Sequence, residues 1–157
     1  SWTHMDKAFK RAEGLLENWM KQHHDKDCYP PTIINITDGE YNGVSHDEMQ
    51  QLSNQLKSMF TNDGNVLLFN IHIVPGHTES VVFPASLGEL NHNGYGEKLY
   101  NMASLLPLNY NEQIRAIFGD KQTDIRYHAM GVNTGMERLV KMMKIGTLSS
   151  MLVNNNQ

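Results

Sequence analysis

The chain has 157 residues, 39% hydrophobic and 19% charged, which suits one soluble globular domain with a buried core and excludes a disordered or fibrous chain. Its 13 basic and 17 acidic residues leave a formal charge of −4, too little positive charge to neutralise a run of phosphates or to hold an anionic membrane, so neither nucleic acid nor membrane is expected as a partner. No apolar run approaches the roughly 20 residues that cross a bilayer, and no leader opens the chain, although a first residue of Ser suggests a processed or partial one. The single Cys28 cannot form an internal disulfide, which favours a reducing compartment.

Over residues 3–22 the apolar side chains Met5, Ala8, Phe9, Ala12, Leu15, Leu16, Trp19 and Met20 recur at the spacing of one helix face. Thr3 followed by Asp6 gives a start in which the hydroxyl caps an unpaired amide. Residues 31–37, rich in Ile and bounded by Pro31 and Gly39, read as a strand covered on both faces. A helix over 46–60 follows, capped by Ser45 with Glu48, and "NVLLFNIHIV" at 65–74 is the strongest strand. Strand, helix, strand in this order predicts a right-handed crossover and a parallel sheet.

Residues 75–94, with Pro75, Gly76, Pro84, Gly88 and Gly94, read as a long surface connection in which Val81, Val82 and Phe83 cover the sheet edge, form part of a partner surface or, in the plainer reading, tuck under the loop. Two short helices about Pro107, a weak strand at 125–132 and a last helix over 135–144, capped by Thr134 with Glu137 and expected to bury Met136, Leu139, Val140 and Met143, complete the domain at 1–150. Residues 151–157 are expected to be a disordered tail.

The segments "WTHMDKAFKRAEGLLENWM", "PPTIINITDGE", "DGNVLLFNIHI" and "GMERLVKMMKIGT" together resemble the later part of a von Willebrand factor A-type (vWA) domain, of the kind carried by bacterial cytoplasmic proteins. That resemblance implies a Rossmann-like α/β three-layer sandwich with a parallel central sheet, and a metal site at the carboxyl ends of its strands. In the family the site draws on a D-x-S-x-S loop, a threonine from a second loop and an aspartate from a third. By matching motif, Thr3 corresponds to the threonine and Asp38 to the aspartate, with Gly39 permitting the turn. No D-x-S-x-S occurs and His4 stands where proline is common, so the N-terminal strands are expected to be missing and the Mg2+ site incomplete.

Each of these residues also has a plainer reading. Asp38 in T-D-G suits a turn cap, Thr3 a helix cap and Glu40 a solvated acid. The 8 histidines, including His23, His24 and His72, lack metal-ligand spacing, and the methionines suit core packing. No nucleophile elbow or phosphate loop is present, so the expected function is a metal-ion-dependent protein-binding module, not an enzyme. Its expected partner offers an acidic side chain to the ion, and a homo-oligomer or complementing chain would use the edge of the strand at 31–37. The alternative is a phosphoryl-transfer or hydrolytic enzyme with Asp38 as nucleophile, for which "TDGEYNG" supplies Glu40 but no close lysine.

Overall fold

The computed structural model describes residues 4–23, 30–76, 79–90 and 94–154, with side chains as far as Ile145. Its helices and strands follow the hydrophobic periods closely at first. Helix α1 (Met5–His23) buries Met5, Phe9 and Leu16, and it ends where His23 stacks on Trp19 and shares a hydrogen bond with the Trp19 carbonyl at 2.7 Å. After strand β1 (Thr32–Thr37), helix α2 (His46–Ser58) begins with the Ser45 hydroxyl accepting from the Glu48 amide at 3.2 Å. A short hairpin, β2 (Phe60–Thr61) with β3 (Gly64–Asn65), turns the chain into β4 (Leu67–His72).

The connection beyond β4 is more ordered than its Pro and Gly content suggests. It contains strand β5 (Val81–Val82) and a 3-10 turn at Leu87–Leu90 before α3 (Gly94–Met102) and α4 (Asn111–Phe118). Strand β6 (Met130–Val132) and α5 (Met136–Asn154) close the chain. Helix α5 runs ten residues beyond the end expected at 144, because no proline stops it and Gly146 alone interrupts the pattern. Residues 155–157 of the expected tail lie outside the described residues, as do His24 and Cys28.

The four-stranded sheet has the order β1-β4-β6-β5. The pairs β1·β4 and β4·β6 are parallel, from Thr32↔Leu67 to Thr37↔His72 and from Asn70↔Met130 to His72↔Val132, whereas β5 joins β6 antiparallel. Alternation divides the side chains between two cores. Leu68, Met130 and Val132 pack with Met5, Phe9, Met49, Leu56 and Leu99 of α1, α2 and α3, while Leu67, Phe69 and Ile71 pack with Ile114, Met142 and Ile145 of α4 and α5. The protein is therefore mixed α/β, a mostly parallel sheet with helices on both faces. None of its described helices is long and apolar enough to cross a membrane.

Two local expectations need correction, and a third holds. β1 is covered on its two faces only in part: Ile33 packs on one core and Ile34 on the other, but among the described residues it is an edge strand, mostly half-buried, and its Ile36 is 52% exposed. Thr134 does not cap α5, since its hydroxyl is buried without a partner and its methyl is packed against Gly131, where an added Cβ would lie 2.8 Å from it. Val81, Val82 and Phe83 both cover the sheet edge and tuck inward, Val82 and Phe83 being buried.

Candidate functional site at the carboxyl end of the sheet

Parallel strands deliver their carboxyl ends to one side of the sheet, and that is where Asp38 emerges. The turn is closed by Thr37, whose buried hydroxyl donates to the Gly39 carbonyl at 2.7 Å and lies 3.4 Å from the Gly39 amide as its acceptor. Gly39 does not take a left-handed conformation, and a Cβ placed there meets nothing within 4 Å. The turn thus depends on the Thr37 hydroxyl and not on a glycine, contrary to the role expected of Gly39. It presents Asp38, and Glu40 two residues later, to solvent.

A wall of rings stands behind the two acids. His72, the last residue of β4, meets Tyr95 of α3 edge-on with centroids 5.1 Å apart, and Tyr95 meets Tyr41 at 5.5 Å. The Tyr41 hydroxyl and His46 Nδ1 share a hydrogen bond of 2.8 Å at the start of α2. Burial, aided by the neighbouring Tyr95, Glu40 and Asp47, pushes the Tyr41 hydroxyl up to about 12, so it stays protonated. Tyr95 is likewise raised, first by burial.

His72 is 6% exposed, and its Nδ1 has no hydrogen-bond partner. Burial lowers its pKa from the ordinary value and outweighs the Thr37 backbone and the Glu40 carboxylate, which both favour the charged ring. The Tyr95 hydroxyl lies beside Thr37 and the Tyr41 backbone without reaching hydrogen-bond geometry.

Beneath this wall a polar ladder fixes the strands. The Asn35 side-chain amide donates to Asn70 Oδ1 at 3.0 Å, and Asn70 donates on to the Leu99 carbonyl at 2.8 Å. Asn133, in the left-handed region at φ 48°, accepts from the Val74 amide at 2.6 Å and donates its own amide to the His72 carbonyl at 2.8 Å. It therefore pins the ends of β4 and β6 together, a conformation Asn tolerates better than most residues.

Of the two metal ligands expected from sequence, Asp38 is placed at this end, while Thr3 lies outside the described residues. The Met5 sulfur takes a long 3.7 Å contact from the Asn35 amide, setting the start of α1 against β1. Among the described residues no group of three or more His, Cys, Asp and Glu side chains could hold a metal ion. The acids present are oxygen donors of the right kind for Mg2+, but too few for the roughly six it takes.

Sequence reasoning missed the ring wall. The signal was there: Asn70 and His72 alternate within an otherwise apolar strand too hydrophobic to face water, which marks them as buried polar residues needing partners. Comparison with known protein families, with curated proteins and with solved structures gives no match for this chain.

Proposed function

We propose that the chain is a protein-binding module of the Rossmann-like vWA type, acting in the cytoplasm, whose partner docks along β1 and over the Asp38 turn. One observation carries this reading: among the described residues a six-residue strand has no neighbour on one side and runs directly into an exposed carboxylate. A strand laid along that edge would pair the outward amides and carbonyls of β1 and cover the exposed Ile36 and Ile73.

The partner is a second copy or another chain that offers a strand and an acidic side chain. Mg2+ would be held by Asp38 together with groups from outside the described residues, the Thr3 hydroxyl and the partner's carboxylate among them. Ion and partner then bind cooperatively, because neither donor set suffices alone. No covalent step is assigned to Asp38.

Sedimentation velocity over a concentration series, with and without Mg2+, tests this on the wild type, Ile36→Lys and Asp38→Asn. Association is expected in the wild type and tightens roughly tenfold with Mg2+, a gain of about 1.4 kcal/mol. Ile36→Lys abolishes association under both conditions, and Asp38→Asn removes only the Mg2+ increment. Wild-type protein that stays monomeric and indifferent to Mg2+ throughout removes the second copy as partner. A stoichiometric, hydroxylamine-sensitive adduct on Asp38 after incubation with acetyl phosphate would replace the module by a phosphoryl-transfer enzyme.

A further inference from the structure

The far edge of the sheet borders a different kind of surface. Ser80 and Glu89 around β5, Phe118 and Asp120 at the end of α4, Lys121, and Arg138 on α5 enclose a cleft of about 360 Å3. Sites for small molecules typically measure about 300–1,000 Å3.

Its charges are arranged unevenly. Lys121 spends two of its three donors on the Val82 and Phe83 carbonyls, at 2.7 and 3.3 Å. Glu89 Oε2 accepts from the Ala85 and Ser86 amides at 2.6 and 3.0 Å, capping the turn that follows. Both are therefore occupied in holding the walls. Among the described residues Arg138 makes one hydrogen bond, to the Ser80 hydroxyl at 3.2 Å, which leaves most of its five donors available. The Asp120 carboxylate makes no hydrogen bond or ion pair among the described residues.

The backbone beside the cleft is strained as well. Phe83, a bulky residue at φ 50°, sits in the left-handed region, locked edge-on between Phe69 at 6.2 Å and Phe118 at 5.4 Å. Such strain persists only where surrounding packing over-determines it, and it gathers at ligand clamps. Here it bends the chain after β5 so that the carbonyls of both Val82 and Phe83 reach the Lys121 ammonium.

We propose that this cleft binds a small zwitterion of amino-acid size, with its anionic group on Arg138 and Ser80 and its cationic group on Asp120. A simple anion entering would meet Asp120 and Glu89, and a simple cation would meet Arg138 and Lys121. A ligand bearing both charges meets neither repulsion, and Phe118 supplies an apolar surface for the stem between them. The site is separate from the β1 edge and does not depend on a partner there.

Titrating the 15N-labelled protein with glycine, β-alanine and γ-aminobutyrate, against acetate and ethylammonium as singly charged controls, tests the assignment by chemical shift. At least one zwitterion is expected to move the Ser80, Val81 and Gly119 amides saturably, roughly tenfold more tightly than either control. Arg138→Gln and Asp120→Asn each weaken that binding roughly tenfold while leaving the thermal midpoint in place, since both side chains are exposed. The assignment is overturned if no zwitterion shifts those amides at millimolar concentration, if acetate or ethylammonium binds as well, or if neither substitution changes the affinity.

Discussion

At the β5 edge the last strand is two residues long and antiparallel, and the Val82 carbonyl, which faces away from β6, accepts from the Lys121 ammonium. At the β1 edge the last strand is six residues long and parallel, carries no charged residue in "TIINIT", and exposes Ile36. Proteins blunt sheet edges by shortening them, placing a lysine on them or covering them, because a long uncharged edge templates pairing with another chain. One edge of this sheet is blunted within the chain, and among the described residues the other is left uncovered.

Met136, Val140 and Met143 of α5 are exposed, on the side of the helix away from Met142 and Ile145, so the last helix does not bury them as its spacing implied.

The largest expected effect separates the two edges directly. Phe83→Ala removes a fully buried ring that anchors β5 and should cost about 3–5 kcal/mol in urea unfolding. Ile36→Ala, at the open edge, should cost no more than about 0.5–1 kcal/mol in dilute protein, because its side chain is half solvated already. Equal losses would mean that the β1 edge is covered in solution.

A smaller effect sharpens the same contrast. Lys121→Met takes the ammonium from two carbonyls and should cost about 1 kcal/mol, less than a buried charged hydrogen bond because Lys121 is half-exposed. The urea midpoint falls with an unchanged slope, and the β5 amides exchange with solvent faster than in the wild type. A variant as stable as the wild type would show that strand length alone protects the β5 edge.

How much of this was legible in the sequence depends on the length over which a signal repeats. Helices α1 and α2 and strand β4 announce themselves through many apolar residues at one period, and the Ser45 cap formed as its spacing implied. β5 was hidden because a strand of two residues has no period, and the Pro and Gly around it read as loop. Thr134 with Glu137 has the capping spacing of Ser45 with Glu48, yet Gly131 leaves a hollow that draws the Thr134 methyl inward and the cap is lost. The position of Asp38 was legible from where its strand stops. Its surroundings were not, since Tyr41, His72 and Tyr95 come from three segments that only the crossovers bring together.

The smallest expected effect concerns the ring wall beside the open edge. The fold holds His72 below its ordinary pKa, so the native state prefers the neutral ring and the unfolded chain binds the proton first as pH falls. Stability from this group is fully present above about pH 6.5, the unfolded value, and is lost as pH falls through the lower native one. His128, lowered by burial and by Lys57 and Arg126, acts in the same direction at the other end of β6. Thermal midpoints of the wild type and His72→Gln, compared between pH 7.5 and pH 5, separate the two: the substitution should flatten the acid limb without removing it. A partner that brings an acidic side chain over Glu40 would favour the charged ring and weaken this dependence, so adding the partner should flatten the limb in the wild type and leave His72→Gln unchanged. An acid limb identical in the wild type and His72→Gln would mean that the ring at the end of β4 is reached by solvent and is no part of a closed wall.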